Sequence, residues 1–359
     1  MKYIFQNIKL RNLYIFFLLL ALLNIFFSTG KSYATTFSIN EVELSRPFEI
    51  NFNKNKIIDK GFLKAFNQLI FSIVQSKDQK KLKKTSLNEI KGMIETFSIK
   101  EEKFIDEVYY IKLNVSFNKK KIFNLLEKKN IFPALPIKKK IVFMPIIFDV
   151  NKNQVKMFSE NIIFRLWKSN IKKYDLLNYI LPTEDLEDLN LIKKNKENLE
   201  NFEFIEIVKK YQIENYIIAI FFKETNDVKL LSKISFNNRN TLLNSQIKNI
   251  NFNQDDEINK LIENLKIKYE DHWKSQNEIN TSVKLPLTIS IENNNNIKIY
   301  QLEETLSKID LIYDYYIYKF DNKNNIYKII FNGTPDKFLE VMKKNNYEIV
   351  TQSKVWILK

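Results

Sequence analysis

The sequence predicts a multidomain α+β protein. An amino-terminal α+β domain is followed by a central layered α/β domain with a mixed sheet and a carboxy-terminal ferredoxin-like β-α-β-β-α-β domain. Three patterns predict this. Apolar residues at helical spacing alternate along the chain with runs of period two. Two uninterrupted apolar runs have the length and composition of strands covered on both faces. The last 75 or so residues place strands and helices in the ferredoxin-like order.

The first 34 residues read as a signal peptide. Lys2, Lys9 and Arg11 form a basic start with no acidic residue, Leu13 to Phe27 is apolar but for Asn24, and Ser32-Tyr33-Ala34 supplies small residues for cleavage after Ala34. The apolar run falls short of the roughly 20 residues a spanning helix needs. No later stretch is long and apolar enough to span, so the expectation is an exported, periplasmic chain with no transmembrane segment after signal removal.

The domain expected over 35–135 begins with a strand at Phe37–Leu44 and a helix over 55–75. In that helix Ile58, Phe62, Ala65, Phe66, Leu69, Ile70 and Ile73 share a face. Gly61 lies on the same face, where a missing side chain permits close packing. A short helix over 87–94 precedes strands over 95–105 and 108–117. The second alternates Tyr109, Ile111, Leu113, Val115 and Phe117 with polar residues. A helix over 119–130 and the prolines Pro133 and Pro136 close this stretch.

The central domain, 138–280, contains the apolar runs Ile141–Phe148 and Tyr216–Phe222. Pro145 lacks an amide hydrogen and marks an irregularity or an edge in the first. Helices are expected over 158–170, 184–194 and 200–212, and strands over 227–236 and 241–250. A long helix then runs from Asp255 to Asn277, burying Ile258, Leu261, Ile262, Leu265, Tyr269 and Trp273. The final domain, 284–359, reads strand 285–291, helix 299–309, strands 312–320 and 326–332, helix 335–345 and a broken strand over 347–358. Thr334 caps its second helix, with Pro335 at the first helical position.

Composition excludes much chemistry. The chain has no cysteine, one histidine (His272) and four glycines. Thiol nucleophiles, thiolate or His-rich metal sites and glycine-rich phosphate loops are therefore excluded. No cofactor is expected. The net charge of +15 rests almost wholly on lysine. Phosphate recognition favours the forked guanidinium of arginine, and no nucleic-acid partner is expected. Paired carboxylates, as in glycoside hydrolysis, are the main enzymatic chemistry left open.

The chain resembles a family of unknown function, predicted to be periplasmic in Gram-negative bacteria. The resemblance rests on Gly61-Phe62-x-x-Ala65 with Leu69-Ile70, on Tyr110-x5-Ser116-Phe117 and on Leu181-Pro182-Thr183-Glu184-Asp185-Leu186-Glu187-Asp188-Leu189. It extends to Phe331-Asn332-Gly333 and Trp356-Ile357-Leu358, and departs from the family pattern at Ile162 and Ile163. It implies architecture and location, and no activity.

Two polar or aromatic features stand out. The acidic run Glu184, Asp185, Glu187, Asp188 follows Pro182, where carboxylates suit a helix start; Asp185 and Asp188 are read as structural rather than metal-binding. Tyr313, Tyr315, Tyr316 and Tyr318 crowd one strand, and simple alternation puts Tyr313, Tyr315 and Ile317 on one face, Tyr316, Tyr318 and Phe320 on the other. Only one face can be core. The other is a candidate interaction face, or packs against the central domain. The expected role is a non-enzymatic accessory or scaffold of the cell envelope with an unidentified envelope protein as partner. The alternative is a carboxylate-dependent hydrolase of envelope material.

Overall fold

The structure, a computed structural model, describes residues 37–50, 52–170, 172, 174–294, 296–320 and 322–358. The expected signal peptide and its expected cleavage point lie outside them. Helix and strand are both abundant, in three sheets, one antiparallel and two mixed, so the fold is α+β as the patterns predict.

The first sheet is antiparallel, in the order β1 (Ser38–Pro47), β3 (Val108–Phe117), β2 (Ile94–Ile105). Its inner face is the alternating set of β3, Tyr109 through Phe117, all buried. Helix α1 (Lys54–Ile73) lies on that face. A Cβ on Gly61 would collide with Leu113 Cδ1 and come within 2.9 Å of Leu44 Cδ1, so the helix sits this close because glycine is there. Asp106 and Glu107, both at positive φ, make the two-residue turn from β2 to β3, the geometry that matches strand twist. The stretch is completed by α2 (Ser76–Gln79), α3 (Leu87–Met93) and α4 (Lys119–Lys128).

The second sheet runs β5 (Gln154–Lys156), β4 (Lys139–Asp149), β7 (Tyr216–Glu224), β8 (Asp227–Phe236), β9 (Arg239–Ile247). β6 (Leu177–Ile180) pairs with β4 in parallel. The two apolar runs form its centre, β4 and β7, paired in parallel. Ile141, Phe143, Ile217, Ala219 and Phe221 face one core, while Val142, Met144, Ile146, Ile218 and Ile220 face another. The first core is closed by α8 (Asp255–Gln276) and α5 (Ile162–Leu166), the second by α6 (Leu186–Lys194) and α7 (Ile205–Lys209). Pro145 falls where the flank of β4 away from β7 is unpaired, between its ladder to β6 at 139–142 and that to β5 at 147–149. Buried Asn161 fills this gap, donating Nδ2 to the Pro145 carbonyl at 3.0 Å.

Two expectations for this stretch are corrected, and two short strands are added. The helix over 158–170 is the short α5 with 3₁₀ turns on either side. Asn161 Oδ1 accepts from the amides of Ile163 and Phe164, and this cap starts the helix at 162. The helix over 200–212 shrinks to α7, and β5 and β6 are strands too short to show a period.

The third sheet runs β11 (Ile312–Phe320), β12 (Asn324–Phe331), β10 (Leu285–Glu292), β14 (Trp356–Leu358), β13 (Ile349–Val350). Helices α9 (Asn296–Lys308) and α10 (Pro335–Lys344) supply Leu302, Leu306, Phe338 and Met342 to the face bearing Tyr327, Ile329 and Phe331. The broken final strand alters the ferredoxin-like order. β13 turns back into β14, which inserts parallel to β10, so the sheet is mixed rather than wholly antiparallel.

One buried cluster includes residues 37–131 and residues 279–358. α4 makes direct bonds across it: Lys119 Nζ donates to the Ile309 carbonyl at 3.0 Å, Lys120 pairs with Asp314 at 2.6 Å, and Glu127 with Lys284 at 3.2 Å. The two connections to the central stretch lie side by side, Ala134 bridging antiparallel to Glu278, with the Ile279 amide on the Pro133 carbonyl at 2.7 Å.

Candidate functional site

The tyrosines of β11 do not alternate simply. The register with β12 slips between Ile312 and Asp314 and again between Ile317 and Lys319, making Tyr313 and Tyr318 the extra residues. Such a bulge re-aims the side chains beyond it, which corrects the two-set reading. Tyr313 turns to α4, its hydroxyl donating to Asn124 Oδ1 at 3.0 Å, with Lys284 Nζ 4.7 Å above its ring. Tyr315 lies on the helix-covered face and donates to the Glu303 carbonyl of α9 at 3.1 Å. These two are half-buried, and what Tyr313 meets is the first stretch of the chain, not the central one.

Beyond Tyr315 the strand is bare. Tyr316, Ile317, Tyr318 and Phe320 are 48, 47, 60 and 76 % exposed. Tyr316 pairs with Lys328 and so shares the uncovered face with Ile326, Ile330 and Ile357. Lys328 Nζ sits 4.1 Å over the Tyr318 ring. β11 is an edge strand, and its two bulges with Lys319 discourage edge-to-edge pairing. What this end of the sheet offers is therefore its side chains.

The acidic run starts α6. Asp185 Oδ1 accepts from the amides of Glu187 at 2.8 Å and Asp188 at 3.2 Å. Lys210 Nζ bridges Asp185 Oδ2 and Asp188 Oδ1 at 2.9 and 2.7 Å. These bonds hold the Asp185 carboxyl below its ordinary range, the Lys210 ion pair foremost. Glu184 accepts instead from the Ser159 amide at 3.1 Å. His272 sits beside Phe236 and Gln276, and partial burial pushes its pKa down.

A second polar cluster surrounds the carboxy-terminal half of α8. Lys266, Glu270 and Lys274 are 6, 7 and 4 % exposed. They line a cleft of about 150 Å³ with Asp175, Asp271 and the aromatic walls Phe71 and Tyr174. Glu270 receives the Leu176 and Leu177 amides at 3.0 and 2.8 Å. Burial nevertheless raises its pKa to about 7 against the effect of those donors, and likewise pushes Asp175 up. Lys266 Nζ donates to the Trp167 carbonyl at 2.9 Å and lies over the Trp167 and Tyr179 rings; burial lowers its pKa to about 8. Lys274 Nζ reaches the Val74 carbonyl at 3.3 Å, and Asp271 takes the Ser76 amide at 2.9 Å and its hydroxyl. Sequence reasoning missed this cluster. Its signal was present: 266, 270 and 274 recur every fourth residue directly beside the buried row 265, 269 and 273, and so share its inward face.

Among the described residues no group of three acidic or histidine side chains converges on a position for a metal ion, and no helix is long and apolar enough to cross a membrane. No protein-family model matches the chain, and no curated protein is similar to it at a significant level.

Proposed function

We propose that the protein is a non-enzymatic accessory of the cell envelope, exported by its first 34 residues and acting through protein–protein contact at the uncovered end of the third sheet. The observation that carries this reading is the bare end of β11. Tyr316 and Tyr318 stand with Ile326, Ile330 and Ile357 on or beside a sheet face that no helix covers among the described residues, and Phe320, which the second bulge turns to the opposite side, lies exposed at the end of the same edge strand. Contiguous exposed apolar surface marks interaction sites, and tyrosine suits them because it joins a large apolar body to a polar tip. The competing hydrolase would need two carboxylates free to act. Those of the α8 cleft are engaged, Glu270 by two backbone amides and Asp271 by Ser76, which supports the binding role.

A photo-crosslinking residue placed at Tyr316 or at Tyr318 in cells tests the proposal. Both positions are expected to capture the same envelope protein. With the crosslinking residue moved to exposed Ile357 on the same face, Tyr316→Ser with Tyr318→Ser is expected to abolish that capture while changing stability by no more than about 0.5 kcal/mol, the usual limit for surface changes. A loss of several kcal/mol with no partner recovered would assign these tyrosines to the core and refute the role.

A further inference from the structure

We propose that the cleft beside α8 is a binding site for a small organic carboxylate with a short apolar or aromatic body. Buried Glu270 and half-buried Asp271 and Asp175 have donors already: Glu270 has the Leu176 and Leu177 amides, Asp271 has Ser76, and Asp175 has the Lys172 amide at 2.9 Å, while Glu263 at the exposed rim lies 3.9 Å from Lys172. The buried ammoniums are the reverse case. Each carries three hydrogens. Lys266 commits one to the Trp167 carbonyl, and Lys274 one to the Val74 carbonyl with Asp271 only at 3.9 Å. Both lysines are more than nine-tenths buried, so water supplies little of what is missing. The unmet capacity in this cleft is therefore donor capacity, and it calls for an acceptor.

An anionic acceptor fits best, because a charge-assisted bond to a desolvated ammonium is about twice as strong as a neutral one. The remaining wall fits the body of such a ligand. Phe71 and Tyr174 stack with centroids 5.4 Å apart, and Ile267 stands 40 % exposed at the rim. The volume of about 150 Å³ is that of a cavity known to admit one benzene ring. The charged groups facing the ligand are the ammoniums of Lys172, Lys266 and Lys274 and the carboxyls of Asp175, Glu263, Glu270 and Asp271.

The test is calorimetric titration of the full mature chain with benzoate, benzamide and benzylamine. These probes share a ring and differ in charge. Benzoate is expected to bind saturably and about tenfold or more tighter than either of the others. Lys266→Met and Lys274→Met keep the unbranched stem and remove the ammonium; each is expected to weaken benzoate about tenfold or more. Benzamide or benzylamine binding as well as benzoate overturns the proposal, as does no saturable benzoate binding up to about 10 mM. Unchanged benzoate binding in folded methionine variants overturns it too. The comparison of probes on the unaltered chain decides the matter by itself if the variants fail to fold.

Discussion

Glu270 makes the stability of this protein depend on pH in a window where few acids titrate. The folded chain holds the Glu270 proton up to about pH 7, whereas the unfolded chain releases it near the ordinary glutamate value of 4.5. Ionisation is what burial disfavours, so the residue contributes no penalty below pH 4.5 and a growing one as pH rises, complete above 7. The full penalty is about 3 kcal/mol, from 1.36 kcal/mol per unit over some 2.5 units. Between pH 5 and pH 8 the change amounts to about 2.5 kcal/mol. Glu270→Gln retains an oxygen for the Leu176 and Leu177 amides and removes the ionisation. Urea unfolding of both proteins at pH 5, 6, 7 and 8 isolates the effect, because Asp175 and His272 contribute to both. The wild type is expected to lose about 2.5 kcal/mol relative to the variant across that range. Parallel profiles would show that Glu270 is ionised in the folded chain throughout, and would refute the reasoning.

Asp185→Ala removes the acceptor of two α6 amides and is expected to lower the melting temperature by about 1–4 °C. Calcium or magnesium is expected to leave the wild-type melting temperature unchanged; a rise that Asp185→Ala abolishes would make the run a metal site. Phe143→Ala empties the centre of the second sheet, where the ring stacks 3.7 Å from Trp167, and is expected to cost about 3–5 kcal/mol in urea unfolding. Gly61→Ala is expected to lower stability by about 1 kcal/mol, since pushing Leu113 aside costs more than the gain in helix propensity returns. Mass spectrometry of the envelope fraction is expected to find a chain beginning at Thr35; a predominance of intact Met1 would make the first 34 residues an anchor.

Elements long enough to show a period were legible in the sequence. The α1 face, the alternation of β3, the apolar runs of β4 and β7 and the stripe of α8 each repeat an inward residue several times, and burial follows that repetition. β5 and β6 have three and four residues and repeat nothing; what places them is the flank of β4 on either side of Pro145. The acidic helix start was legible because capping is local. The β11 face was legible only as an excess of aromatics, since the bulges at Tyr313 and Tyr318 arise from pairing with a different strand. The α8 cleft was hidden because a lysine at a helical spacing reads as solvated; only the arrival of Trp167, Val74 and the 175–177 backbone from elsewhere in the chain buries it.

The paired connections at Ala134 and Glu278 also decide how the molecule carries load. A pull applied between residues 37 and 358 enters the shared core of the first and third stretches and crosses between them at α4. The residues from 135 to 277 hang outside that path, because the amides of Ile279 and Leu135 short-circuit their two ends. Tension would have to break those bonds before reaching the second sheet. In a force-extension experiment the first rupture is therefore expected to release the body around α4, and the central sheet, slack until then, to yield in a separate and later step.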